Sequence, residues 1–431
     1  MNFSSKILFN LLLFICAQSS FAQKSEPYFT ENQCGFNFQD DKKAVASFEN
    51  SLTPFLDNYY LQSRDDREIF VIPTVVHVIH NSDETVGVGR NISYSQIQEQ
   101  LVLLNDDFRR INADTINTPS YFLGVAADCE INFCLINAYP SDHPNAGQSL
   151  PELGVDRIDV TSLGLPNTTT GYVGSYFDDS IKTVTFWNPD EVMNIWVTEL
   201  SDLLGYATFP NTGLASHDGI VVNHVNFGLT TDYYGLGRTL SHEVGHFLGC
   251  YHTWGDSFSC SATDFCDDTP QEEIFVPHCP TGVYTDACTS GGDGVMYNNY
   301  MDYTNDICKN IFTEDQKARM HATLASQPRR STLVSFGATL CSETIGISGL
   351  ERSSEPFIYP IPASEKLTIE LPTNNEFKEL QLFNINGQLI QQRKLKAESV
   401  INLDLTKIES GIYILKLLSD DQVYSSKLIK E

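Results

Sequence analysis

His242-Glu243-Val244-Gly245-His246-Phe247-Leu248-Gly249-Cys250-Tyr251-His252 is the stretch on which the reading of this chain turns. On a helix, His242 and His246 project from one face, so both imidazoles can hold one metal ion. Glu243 lies outside that ligand pair but within reach of a metal-bound water. Zinc lowers the pKa of such a water, and the carboxylate takes its proton as the oxygen attacks a peptide carbonyl. Gly249 tolerates positive φ, which lets the chain leave the helix sharply and bring His252 back as a third ligand. Three protein ligands leave one position open, which separates catalytic from structural zinc. The rival reading, three unrelated histidines, asks chance to fill five fixed positions in a chain with only 10 His among 431 residues.

Outward from this stretch the pattern is that of an α/β layer. From about residue 236 the apolar period is helical, with Leu240, Val244, Phe247 and Leu248 on one face. Upstream, 69–80 is rich in β-branched residues and reads as a buried strand. Ser93 and Gln96 then form a capping-box pattern ahead of Ile97, Leu101, Leu104 and Phe108 at helical spacing. Strand followed by amphipathic helix indicates α/β layering. Further strands are expected over 131–139, 193–198, 206–209 and 220–224, and a Gly, Thr and Asn-rich stretch over about 141–180 reads as a long loop. Thr313 and Gln316 mark a second capping box and a final helix. His77, His80, His217 and His224 have no partner at ligand spacing and are left out of the metal set.

Composition bounds the partners. The formal charge is −28, from 55 acidic and 27 basic residues, which repels nucleic acid and anionic membrane surfaces. Lys6, the apolar run 7–17 and the small residues around Ser20-Phe21-Ala22 read as a signal peptide over 1–22, too short to span a bilayer. Export permits disulfides among the 11 cysteines, as local staples in a chain too long for them to be its framework. Residues 23–68 are polar and weakly patterned, end in Ser63-Arg64-Asp65-Asp66-Arg67-Glu68, and read as a pro-segment with a cleavable linker. A catalytic domain over 69–341 and a Ser, Gly and Glu-rich linker over 342–356 follow. Residues 357–431 carry short strand patterns at 366–371, 379–384, 401–405 and 412–417 with a turn at Asn386-Gly387, and form a small all-β sandwich.

The extended histidine motif is the signature of the metzincins. His242 through Trp254, Asp268-Thr269-Pro270 and Asn299-Tyr300-Met301-Asp302-Tyr303 closely resemble the pappalysin family of metzincins, over about residues 69–325. The resemblance implies a metzincin-type zinc peptidase domain, with a twisted mixed sheet and an active-site helix. It implies that Met301 forms an apolar floor beneath the metal and that Tyr303 assists the transition state by hydrogen-bonding the developing oxyanion. It implies that Cys34, in Cys34-Gly35, supplies a thiolate that closes the open zinc position of a latent zymogen, where the plain alternative is a disulfide. It further implies bridges Cys260–Cys288 and Cys279–Cys308, and a calcium site at Asp264, Asp268 and Thr269. Cys129, Cys134, Cys250, Cys266 and Cys341 remain unassigned, with an extra bridge open to Cys250 and Cys266.

By the same resemblance, 204–209 is the edge strand that pairs with an extended substrate, and selectivity comes from pockets. Relatives that cut next to basic residues use an acid in the region of Asp306, so cleavage on the amino side of Arg, with Lys second, is expected; Asp302 is an equally charged neighbour. The C-terminal unit resembles a type IX secretion sorting domain through Tyr359-Pro360-Ile361-Pro362-Ala363-Ser364 and Gly411-Ile412-Tyr413, with Ile361 where Asn is usual. That implies a Gram-negative source, contact with the secretion machinery, and a released or surface-attached product; an adhesive or carbohydrate-binding module is the alternative. The expected function is endopeptidase cleavage of proteins outside the cell, with one catalytic zinc ion and structural calcium. Its rivals are an inactive metal-binding adhesin and a zinc esterase or amidase, and retention of Glu243 argues against the first.

Overall fold

The computed structural model describes residues 34–35, 42–61, 69–230, 233–341 and, in the C-terminal unit, 356–359, 363, 366–371, 377–384, 388–396, 400–419 and 423–430. The expected signal peptide, the Ser63-to-Glu68 linker, 342–355, Asn386-Gly387 and most of the Tyr359-to-Ser364 motif lie outside the described residues.

Strand β1, Phe70–His80, is the spine of a mixed sheet. Its first half pairs in parallel with β2, Ile131–Leu135, and its second half with β3, Val155–Asp159. Its other edge pairs in parallel with β4, Met193–Thr198, which pairs with β6, Ile220–Asn223. The short β5, Gly205–Ala207, closes that edge antiparallel to β6. Eight consecutive residues of β1 are buried, as expected of a central strand covered on both faces. β3 falls inside the stretch read as loop: only Val155 of its five residues is buried, so alternation is too weak to announce a strand.

Helix α2, Tyr94–Phe108, packs Ile97, Leu101, Leu104 and Phe108 into the main core together with Leu240, Val244, Phe247 and Leu248. Ser93 caps it by accepting from Gln96 N, but the Gln96 side chain donates to Phe227 O at 2.7 Å, so only half of the expected box forms. The box at Thr313 and Gln316 is complete and opens the helix Glu314–Ser326. A further helix, Arg330–Leu340, ends at Cys341, which is bridged to Cys134 in β2.

Helix α1, Lys42–Leu61, lies within the stretch read as polar and weakly patterned. Val45, Phe48, Leu52 and Leu56 lie at helical spacing and pack with Phe209, Tyr251 and Ala322. Arg319 donates to both oxygens of Glu49 at 2.8 Å, tying α1 to the helix Glu314–Ser326.

The C-terminal unit forms two antiparallel sheets. One has β9, Glu379–Asn384, between β10, Leu389–Lys394, and β12, Gly411–Leu418, with β13, Val423–Lys430, beyond. The other has β8, Lys366–Glu370, between β7, Phe357–Tyr359, and β11, Val400–Asp404. Leu367, Ile369, Leu380, Leu382, Leu415 and Leu417 meet in its core.

Candidate metal centre

The active-site helix, Arg238–Phe247, is buried along its whole length. It is seated by electrostatics at one end and by an apolar floor beneath. Gly237, with φ +76°, begins it, and Asp306 Oδ2 accepts from Leu236 N at 2.9 Å and Arg238 N at 3.1 Å, placing an anion where a helix N-terminus favours one. Ser241 Oγ and Tyr300 OH both donate to Asp107 of α2, at 2.7 and 2.9 Å. Gly245 has a packing reason: a Cβ there would lie 2.3 Å from Met301 Sδ, so the helix can rest on Met301 only if this residue has no side chain. Gly249 takes φ +91° after the helix, in keeping with the turn expected of it.

That turn brings three imidazoles together. His242 Nε2, His246 Nε2 and His252 Nε2 form a triangle with sides of 3.0, 3.1 and 3.3 Å. Each Nδ1 faces an acceptor: Tyr300 O at 2.7 Å, Cys250 O at 2.8 Å, and the Asp256 carboxylate. Those acceptors fix the hydrogen on Nδ1 and leave three Nε2 lone pairs aimed at one another. Burial first, then neighbouring imidazoles, holds His242 and His246 well below the usual histidine range, so both are neutral. Facing lone pairs repel unless a cation lies between them, and a triangle of this size has its corners about 1.8 Å from its centre, commensurate with ~2.0–2.1 Å Zn–N bonds. The donor set therefore fits a divalent metal of the zinc type. Asp256, four residues beyond His252, is a supporting residue that the sequence reading missed, although its spacing could have marked it.

Over the open side stands Cys34. Its Sγ and the three histidine nitrogens all lie within 4.8 Å of one another, the sole such cluster among the described residues. The thiol also donates to Glu243 Oε2 at 3.4 Å, and Gly35 N donates to Gly205 O of β5 at 3.2 Å. Burial pushes Glu243 up to about 8, against the pull of the Cys34 hydrogen bond and of Lys309. Tyr303 packs on His252 with ring centroids 4.9 Å apart, and burial keeps its phenol protonated. Trp254 stacks on the same imidazole at 4.2 Å. A small cleft opens here, lined by Cys34, Leu204, Tyr234, Thr239, His242, Glu243, Tyr303 and Lys309.

Other expected site residues are distributed differently. Asp306 is not among the residues lining this cleft: it is fully buried, its Oδ2 accepts at the helix N-terminus, and its Oδ1 has no hydrogen-bond partner among the described residues. Lys309, which no pattern in the sequence singles out, stands at the cleft instead. Asp264 accepts from Thr269 Oγ1 at 2.8 Å, and Asp268 Oδ2 accepts from Asp315 N at 2.9 Å while its Oδ1 has no partner among the described residues. Cys260–Cys288 and Cys279–Cys308 are bridged, with Cα–Cα distances of 5.2 and 5.8 Å. Cys250 and Cys266 are free thiols rather than an extra bridge. His77 is packed, its ring nitrogens engaged by Asp156 and Asn194.

Known proteins agree with this architecture. The profile of the pregnancy-associated plasma protein-A family matches residues 175–325, and that of a secretion system C-terminal sorting domain matches 357–431. An extracellular metalloprotease of Arthroderma otae is 40% identical over 255 residues, covering 58% of this chain and 76% of the relative. Another, of Arthroderma benhamiae, is 29% identical over 285 residues, 65% of this chain and 84% of the relative. Among solved structures, a promirolysin mutant of Tannerella forsythia superposes with a TM-score of 0.60 at 33% identity, over 72% of this chain and all of that one. Mature mirolysin in complex with a cleaved peptide gives 0.55 at 36% identity, over 64% of this chain and 99% of that one. The chain is a secreted metallopeptidase, and it belongs to the pregnancy-associated plasma protein-A, or pappalysin, family of metzincins.

Proposed function

We propose that the chain is a zinc endopeptidase that cuts proteins outside the cell and is made as a latent precursor. The observation that carries this is the triangle of His242, His246 and His252 Nε2 atoms beside the buried Glu243 carboxylate. Those three histidines would hold the ion, which when bound supplies Lewis acidity for a water and a carbonyl oxygen. Glu243 accepts the water's proton and passes it to the leaving amine. Tyr303 OH donates to the oxyanion as it develops. Met301 supports the helix from below through Gly245. β5 is the strand to which an extended substrate adds, as the Gly35-to-Gly205 hydrogen bond suggests for the pro-segment.

In the precursor, the Cys34 thiolate would complete the ligand set, and the pro-segment ends before the catalytic domain of 69–341. Asp264, Asp268 and Thr269 are proposed to hold calcium with backbone carbonyls of their loop, Asp268 through Oδ1, which has no hydrogen-bond partner among the described residues. One experiment tests both metals. The mature enzyme, stripped with a chelator, should lose cleavage of a protein mixture read by peptide mass. Zinc should restore the rate, and calcium should raise the melting temperature without restoring it. Cleavage that survives stripping, or is restored by calcium alone, would count against this assignment.

The signal peptide over 1–22 and the sorting unit over 357–431 are proposed to deliver the enzyme through a type IX system of a Gram-negative bacterium. Deleting residues from 357 onward should leave purified enzyme active while the protein accumulates in the periplasm. Normal appearance outside the cell would favour an adhesive module instead.

A further inference from the structure

The surface beneath α1 holds that helix by contacts that do not depend on its being joined to the catalytic domain. Phe48 and Leu52 are buried with Phe209, Tyr251 and Ala322, and the Phe48 and Phe209 rings meet edge to face with centroids 4.9 Å apart. Gly249, in the turn out of the active-site helix, makes room for the same ring: a Cβ there would lie 3.0 Å from Phe48 Cζ. Polar contacts fix the register of the helix along its groove. Arg319 donates to both oxygens of Glu49, Gln327 Nε2 donates to Ser51 Oγ at 2.9 Å, and Tyr60 OH donates to Asp315 Oδ1 at 2.5 Å. All of these residues of α1 precede the Ser63-to-Glu68 linker, so a cut in that linker removes none of the contacts.

Release of α1 is also opposed energetically. It would break a bidentate, charge-assisted pair and bare Phe209 and Tyr251 to water. Asp264, the other acid whose charge is felt by Arg319, already accepts from Thr269 Oγ1 and Cys266 N and is no ready substitute for Glu49. We propose that this groove is a helix-binding site which retains α1 after the linker is cut, so that the severed pro-segment stays on the catalytic domain as a non-covalent partner and the first cut does not activate the enzyme. The inference rests on the latent-precursor reading above and adds to it a binding surface and its occupant. A pro-segment held chiefly by its covalent link would instead separate at once.

Two measurements test it. In the first, the mature domain carrying Glu243→Gln, which spares the peptide from cleavage, is titrated with a fluorescent peptide of residues 42–61, which lacks Cys34. Saturable one-to-one binding is expected from the anisotropy. Glu49→Ala or Leu52→Ala in the peptide should each weaken it by roughly 10- to 100-fold, the range for a charged hydrogen bond or a large buried side chain. A Glu49→Lys peptide should fail on this domain and regain binding when the domain also carries Arg319→Glu, a gain that a misfolded variant cannot display; if that variant does not fold, the peptide substitutions alone decide. In the second, the precursor with 63–68 replaced by the site of an unrelated protease is cut and passed over a sizing column. The two fragments should elute together and hydrolyse a quenched peptide no faster than the uncut precursor. No binding at ~100 µM peptide, weaker than a −5.5 kcal/mol interaction, overturns the inference, as does binding indifferent to Glu49→Ala and Leu52→Ala, separation of the fragments, or full activity on the first cut. Self-association of the mature domain that the peptide does not reverse, read by sedimentation, overturns it in favour of a second copy on the bared face. The peptide titration involves no turnover, so its failure leaves the peptidase reading intact, and that reading falls only if the chelation experiment fails.

Discussion

Glu243→Gln in the mature enzyme is expected to bind zinc as the wild type does and to lose roughly 10²- to 10⁴-fold in single-turnover rate, the range for a positioned general base. The substitution keeps the shape of the side chain and removes only its capacity to take a proton. Glu243 is fully enclosed, its Oε2 faces the Cys34 thiol on the open side of the histidines, and Gly205 of β5 packs against it so closely that an added Cβ would approach Glu243 Cγ to 3.1 Å. Packing therefore fixes where the carboxylate points before any substrate arrives, and a fixed base acts without reorganisation. Because the three Nε2 atoms and their Nδ1 partners exclude Glu243, metal content and melting temperature should stay at wild-type values. Zinc loss in the variant would make Glu243 a ligand rather than a base, and an unchanged rate would remove it from the chemistry.

What could be read from residues alone divides by range of interaction. The histidine triangle rests on spacing within eleven residues of chain, with one helical turn and one glycine, so local rules reach it. β1, β4 and the capped helix Glu314–Ser326 are legible for the same reason: a long β-branched run or a box of paired side chains carries the information in place. Asp306 shows the limit. Its charge and its position after Met301 are visible, but its use is decided by two backbone N–H groups about seventy positions upstream. The Cys134–Cys341 bridge spans 207 positions and has no local signal at all. Helix α1 is a different failure, since Val45, Phe48, Leu52 and Leu56 do recur at helical spacing within a polar segment. There the period was present and composition masked it.

Cys34→Ala in the full-length precursor should raise activity before any processing, by more than about tenfold, yet leave it below that of the mature enzyme. Two separate devices hold the precursor closed on the proposed reading. One is the thiol, whose Sγ lies with the three Nε2 atoms inside a 4.8 Å cluster and whose thiolate would be a strong zinc ligand. A tenfold gain corresponds to only ~1.4 kcal/mol, well below the apparent affinity of thiolate-rich zinc sites. The other device is mechanical and survives the substitution. Gly35 still donates to Gly205 O on the edge strand that substrates need, and α1 remains clamped by Arg319 on Glu49 and by Phe48 and Leu52 against Phe209, Tyr251 and Ala322. Adding Glu49→Ala and Leu52→Ala, which loosen α1 without touching the histidines, should therefore release most of the remaining inhibition. The measurement is initial rate on a quenched peptide, with electrophoresis to show that the precursor is uncut. A Cys34→Ala precursor as latent as the wild type would mean that strand pairing and bulk alone do the inhibiting. Full mature activity from that single change would mean that α1 contributes nothing to latency.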